Sequence, residues 1–121
     1  MSESVLNLEY LTNLRDEAFG PEGTEDFKDL LNLYINESIK AIPQISEAVG
    51  RSDWEESIRL VHSLKGASRN VGAVDVAALC QETEVSLKAG TYEKIGLDRF
   101  LEHVKIKIEA TQKELKEKFE L

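Results

Sequence analysis

The run His62-Ser63-Leu64-Lys65-Gly66-Ala67-Ser68-Arg69-Asn70-Val71-Gly72-Ala73 closes a segment, Trp54 to Val71, whose apolar residues recur with helical spacing. A helix turns through roughly 100° per residue, so the residues it packs against its neighbours gather along one side. Wound on that template, Trp54, Leu60, Val61, Leu64, Ser68 and Val71 form one broad stripe. His62 falls roughly 150° from the centre of that stripe, on the side expected to face water. Ile58 at i−4, Lys65 at i+3, Gly66 at i+4 and Arg69 at i+7 share its outward patch.

Each member of that patch has a chemical use. An imidazole is neutral enough near neutral pH to act as a nucleophile, and a ring nitrogen can carry a phosphoryl group. Lys65 and Arg69 offer the positive charge such a group needs, one as a mobile point charge and the other as a planar fork. Gly66 costs a helix interior about 1 kcal/mol relative to Ala, so its place one turn from His62 asks for a reason. An absent side chain there clears an approach to the imidazole. Ile58 adds a small apolar surface for docking. The chain carries a formal charge of −8, yet Ser57 to Val74 contains Arg59, Lys65 and Arg69 and no acid, a basic island in an acidic protein.

Working outward, the periodicity is helical almost throughout, and five helices are expected. A short first helix near Leu6 to Ala18 turns Leu8, Leu11 and Leu14 inward and ends at Phe19-Gly20-Pro21-Glu22-Gly23. Thr24 reads as the N-cap of a second helix reaching Val49, with Phe27, Leu30, Leu31, Tyr34, Ala41, Ile42, Ile45 and Val49 inward. Pro43 lies inside it and predicts a kink or brief irregularity. The motif helix opens at Ser52-Asp53-Trp54-Glu55, spaced as a capping box, and ends near Asn70 to Gly72, where Gly72 reads as a helix-end residue of positive φ. A fourth helix, Val74 to Ala89, turns Val76, Leu79, Cys80, Thr83 and Leu87 inward and stops at Gly90. A fifth, Leu97 to Phe119, places Leu97, Leu101, Val104, Ile108, Leu115 and Phe119 in register. Short connections between long helices favour antiparallel neighbours. The expected architecture is all-α: an antiparallel up-down four-helix bundle over residues 24–121, with residues 1–23 adding a short helix and loop across one end. The whole of 1–121 then forms one domain.

At 121 residues the chain is long enough for one modest core and too short for a second catalytic domain. No apolar stretch approaches the roughly 18 residues of a membrane span, and Met1-Ser2-Glu3-Ser4 lacks the pattern of a signal peptide, so a cytoplasmic protein without a membrane partner is expected. The native-looking Met1 start favours a free-standing protein. Cys80 is the sole cysteine and reads as core filler; with only two histidines, no metal-ligand cluster is expected. His103 lies off its own helix's stripe without a comparable setting and reads as solvated surface. One small basic island does not make the extended positive face that nucleic acid requires. No glycine-rich nucleotide loop is present, which argues against ATP binding.

The motif run resembles the signature of the histidine-containing phosphotransfer (HPt) domain, H-x-L-K-G-x-[SA]-x-x-[hydrophobic]-G-A, and meets every position of it. The likeness extends to Phe27-x-x-Leu30-Leu31-x-x-Tyr34, Asp53-Trp54 and Leu79-Cys80-x-x-Thr83-Glu84, covering about Thr24 to Gly90. Thr83 departs from the large aliphatic residue usual there, and Met1 to Gly23 offers no firm pattern to compare. The resemblance implies a phosphorelay carrier that takes a phosphoryl group from the aspartate of one receiver domain, in a response regulator or hybrid histidine kinase, and hands it to another. His62 would be the acceptor, most plainly through Nε2, with Lys65, Gly66 and Arg69 near the phosphate and Ile58, Arg59, Ser63, Ala77, Ala78 and Gln81 as the docking face. No positioned carboxylate is expected in the immediate patch. The domain would be a monomer that needs no cofactor of its own, Mg2+ coming from the receiver, and would not itself be a kinase. Two rivals stand beside this reading. One is a helical adaptor that uses the same patch to bind or sequester a partner without phosphorylation. The other is the dimerising phosphoacceptor hairpin of a histidine kinase, which would bring a dimer core and an ATP-binding domain.

Overall fold

A computed structural model describes residues 5–121, and among these all regular structure is helical. The Met1 start lies outside the described residues. The elements are α1 (Leu8–Asn13), a π turn (Leu14–Phe19), a 3-10 turn (Pro21–Gly23), α2 (Thr24–Gly50), α3 (Trp54–Asn70), α4 (Val74–Ala89) and α5 (Lys94–Phe119). Tight connections join α2 to α5, and each of the four packs against two others, α2 on α3, α3 on α4, α4 on α5 and α5 back on α2. That closed ring is the expected four-helix bundle.

The helix boundaries follow local chemistry, in several places one residue away from the expected register. The first helix is shorter than Leu6 to Ala18. Asn7 caps it by accepting a hydrogen bond from the Tyr10 amide at 3.0 Å, and after Asn13 the chain widens into the π turn. Leu11 is fully buried, whereas Leu8 and Leu14 are half-buried. Thr24 is not the cap of α2. It is the first helical residue, its hydroxyl donates to the Pro21 carbonyl at 3.0 Å, and Gly23 occupies the cap position. At Pro43, where a kink or brief irregularity is expected, α2 continues as one helix from Thr24 to Gly50. Pro43 lies on the exposed face, as does Ile39 four residues earlier, so the carbonyl that loses its intrahelical partner can turn to water. The capping box also gives way. Asp53 caps α3 by accepting from the Glu56 amide at 3.1 Å, while Ser52 takes a left-handed conformation, φ 56°, in the turn before it.

Gly72 does adopt the positive φ expected of it, 68°. A second constraint acts there: a Cβ would lie 3.1 Å from Tyr10 Cδ2 and 3.2 Å from the Asn7 carbonyl oxygen. The bare backbone lets the Asn7 amide donate to the Gly72 carbonyl at 2.8 Å, and Tyr10 Oη donates to the Asn70 carbonyl at 3.0 Å. The amino-terminal segment is thereby fastened over the C-terminal end of α3.

The core contains Phe27, Leu31, Ile45, Val61, Val76, Val104, Ile108 and Leu115, all essentially inaccessible. Phe27 meets Phe19 and Phe119 edge-on, with ring centroids 5.5 and 5.3 Å apart, which ties the first loop to the end of α5. Burial pushes the Tyr34 phenol up to about 12, and its hydroxyl shares a 2.8 Å hydrogen bond with Ser68. The polar position on the α3 stripe is therefore satisfied inside the core. On α4 the inward line is Val76, Ala77, Cys80, Glu84 and Leu87. Leu79 and Thr83, expected inward, are only half-buried, and Ala77, expected on the docking side, is 7% exposed. Ala77-Ala78-Leu79-Cys80 is apolar all round, so the pattern leaves the rotation of α4 underdetermined, and packing turns it toward Glu84.

Candidate functional site

His62 projects from the flank of α3 with its side chain 63% exposed, as its place off the apolar stripe requires. Its ring is nevertheless anchored. Nδ1 lies 2.7 Å from Oε2 of Glu84, which reaches across from α4 and is itself only 3% exposed. Oε1 of the same carboxylate receives the ammonium of Lys65, and Lys88, one turn along α4, approaches Oε2 at 3.1 Å. Lys65 also donates to Oε1 of Gln81 at 3.1 Å. Glu84 is thus a buried junction joining two ammonium groups and one imidazole, and every buried side-chain polar atom of the described residues has a partner.

The electrostatics of the junction follow from its partners. Burial opposes ionisation of Glu84, but the hydrogen bonds from Lys65, Lys88 and His62 outweigh it and hold the carboxyl down at about 2. The group is therefore a carboxylate throughout the neutral range and can only accept hydrogen bonds. The proton between it and His62 belongs to Nδ1, and in the neutral ring the lone pair belongs to Nε2. Cys80, on the same inward line, is fully buried, and burial pushes its thiol up to about 12. It packs as a small apolar residue, as expected.

Several expectations about the patch need correction. Lys65 is not a free surface cation: its side chain is only 11% exposed and its charge is spent on Glu84. A lysine stem lies readily along apolar surface, so a position at the edge of the stripe can deliver its tip to a buried partner. Arg59 pairs with Glu56 within α3, so the island that looked free of acids in sequence is partly neutralised from just outside it and from α4. Arg69 is exposed and makes no ion pair among the described residues. A positioned carboxylate, expected to be absent from the patch, is present as Glu84. It left one trace in the sequence: Val76, Cys80, Glu84 and Leu87 fall at i, i+4, i+8 and i+11, which sets an acid on a buried line and demands a cation opposite.

The remaining candidates are placed as follows. Gly66 is open, since a Cβ there would meet nothing within 4 Å. Ser63, Ala78 and Gln81 are exposed beside the imidazole's flank, Ile58 is half-buried against the core, and Ala77 is buried. Val74 and Val85, exposed on α4 at one helical line with Ala78 and Gln81, extend the apolar part of that surface and were missed by sequence reasoning. His103 is exposed on α5. Among the described residues no three His, Cys, Asp or Glu side chains converge as a metal site would require, and no helix is long and apolar enough to cross a membrane.

Residues 29–115 match the family model of the Hpt domain. The chain belongs to this family. This Hpt domain is 33% identical over 104 residues to histidine-containing phosphotransfer protein 2 of Arabidopsis thaliana, a match that takes in 83% of the chain and 65% of the plant protein's length. Its fold is similar to the crystal structure of histidine-containing phosphotransfer protein B (HptB) from Pseudomonas aeruginosa PAO1, with a TM-score of 0.85 over 98% of this chain and 97% of that one at 23% identity. The bundle is thus the all-α fold of HptB, whose crystal structure superposes over nearly the full length of both chains.

Proposed function

We propose that this Hpt domain is a phosphorelay carrier that takes a phosphoryl group onto Nε2 of His62 from the phosphoaspartate of a receiver domain and passes it to the aspartate of another. The observation that carries the reading is the state of one side chain: His62 is exposed, its Nδ1 is committed to a buried carboxylate, and the remaining nitrogen is the one left to react. In the forward step the Nε2 lone pair attacks phosphorus, the P–O bond of the acyl phosphate breaks, and the donor leaves as a carboxylate. The Nδ1 proton stays in place, so the product is a phospho-imidazolium whose positive charge faces Glu84. The return step reverses each of these changes.

The approach runs over Gly66, where no side chain intrudes. Arg69 is the cation beside His62 that has no ion pair among the described residues, and Lys65 acts through Glu84 while that pair persists. Ile58, Ser63, Ala78 and Gln81, with Val74 and Val85, supply the face on which a receiver would dock. Arg59 stands at its edge. The magnesium ion that assists such a transfer is assigned to the receiver. The domain on this reading is a cytoplasmic, monomeric carrier with no kinase activity of its own.

Incubation with a phosphorylated receiver tests this directly. The wild type is expected to gain acid-labile, base-stable phosphate, and His62→Gln, at an exposed position, is expected to stay folded and gain none. Labelling that persists in His62→Gln would overturn the acceptor assignment. Failure of the wild type to label with any receiver would leave an adaptor that binds through the same face.

A further inference from the structure

We infer that a cleft at one end of the bundle, between the end of α2 and the starts of α3 and α5, binds a free aromatic amino acid: a planar ring that carries one carboxylate and one ammonium. The cleft encloses about 440 Å3, a volume usual for small-molecule sites. One wall is the ring pair of Trp54 and Tyr92, with centroids 4.5 Å apart and planes inclined at 44°. Val49, Leu97 and Leu101 add apolar surface. Both rings are half-buried, so part of each is left for a further ring to pack against. The rim is polar, and it carries one charge of each sign, Lys94 and Asp98.

Those two charges select the ligand. They stand one turn apart on α5, the spacing at which opposite charges pair, yet neither belongs to an ion pair among the described residues. Lys precedes Asp here, the weaker order for such a pair. Lys94 is also the first residue of a 26-residue helix whose first turn holds no acid, so its ammonium works against the helix dipole. A cation set against both local preferences is left for an anion from outside the chain, and Asp98 for a cation. A ring bearing a single charge of either sign would leave one rim group uncompensated, whereas a zwitterion meets both. Trp54 opens α3 and His62 lies roughly 12 Å further along it, so the cleft is separate from the exposed imidazole and its occupancy does not depend on the carrier reading.

Titration of the whole protein with L-phenylalanine tests this through the emission of Trp54, the sole tryptophan of the chain, excited where the added ring does not absorb. A saturable change is expected. Hydrocinnamate lacks the ammonium and phenethylamine lacks the carboxylate, and each is expected to bind about fivefold more weakly, the upper range for one exposed charge pair. Leucine, a zwitterion without a ring, is expected to bind more weakly than L-phenylalanine as well. Asp98→Asn is expected to bring L-phenylalanine down to the affinity of hydrocinnamate, and Lys94→Met to that of phenethylamine. Both side chains are exposed, so both variants are expected to stay folded. No saturable response of the wild type to L-phenylalanine would overturn the inference, and this result requires no variant. So would equal affinity for any of the three analogues, or an unchanged affinity for L-phenylalanine in either variant.

Discussion

Replacing Gly66 by alanine should stabilise the protein and slow it as a phosphocarrier. Gly66 lies inside α3, four residues after His62, and a Cβ there meets nothing within 4 Å, His62 included. With no clash to offset it, the helix-propensity gain of about 0.8–1.0 kcal/mol is realised nearly in full. That corresponds to roughly a four- to fivefold shift in the folding equilibrium, and to about 3–5 °C in Tm for a domain of this size. The cost falls on access. A helical side chain leans toward the N-terminus and covers the turn before its own Cα, so any group at position 66 grows over the base of the imidazole. A methyl should slow transfer from a phosphorylated receiver several-fold, and Gly66→Leu by about 100-fold, the penalty expected when reacting atoms are kept about 1 Å from their attack distance. Thermal unfolding followed by circular dichroism gives the first quantity, and single-turnover transfer of labelled phosphate gives the second. If Gly66→Leu accepts phosphate at the wild-type rate, the opening over Gly66 is not an approach path and the docking geometry argued from it is wrong.

Two further outcomes follow from the geometry of the Gly72 turn and of Glu84. Gly72→Ala must hold a side chain at φ 68° and place its Cβ 3.1 Å from Tyr10 Cδ2, so a loss of about 2 kcal/mol or more in denaturant titration is expected, with hydrogen exchange accelerated first at Asn7 to Leu11. Unchanged protection there would mean that the amino-terminal segment is not held by this turn. Glu84 links stability to acid. Because its partners hold the folded carboxyl at about 2 against an ordinary 4.5, its contribution is fully present above pH 4.5 and is lost as the pH falls toward 2. The shift corresponds to about 3 kcal/mol, so the stability gap between the wild type and Glu84→Gln should close across that window in urea titrations at successive pH values. A gap that stays constant down to pH 2 would show that the carboxylate gains nothing from its three partners.

Much of the bundle was legible because α3 and α5 each present a single apolar line bounded by charge. Val61, Leu64, Ser68 and Val71 were placed inward from spacing alone, and all four are buried. The misreadings have local causes. At the start of α3, Ser52 and Asp53 both have capping side chains, and the choice between them depends on Ser52 adopting a left-handed turn that spacing does not record. At Pro43 the lost hydrogen bond was legible, and because it is lost on an exposed face the helix continues past it. In α4 the run of alanines and Leu79 hid the rotation of the helix, since small apolar residues fit equally well on either side of it.

The site divides along the same line. His62 and Arg69 were read correctly as open to solvent because a residue's exposure on one helix follows from that helix's own stripe, while Gly66 is half-buried with room for a Cβ. The pairing of Lys65 did not, because it is a property of two helices. Single-helix geometry placed Lys65 beside His62 and treated the absence of acids between Ser57 and Val74 as the absence of acids in space. The acid came from Glu84, across the α3–α4 interface, and it changes what the motif lysine does. A lysine free in solvent would be a mobile counter-charge waiting for phosphate; a lysine held by Glu84 instead fixes the carboxylate that fixes the imidazole. The basic character of the motif is therefore partly internal to the resting protein. Among the described residues Arg69 is the cation of the motif without an ion pair, while the charge of Lys65 holds the carboxylate on which the proposed acceptor His62 rests, a division that a Lys65→Met variant should expose by loosening that carboxylate before it disturbs docking.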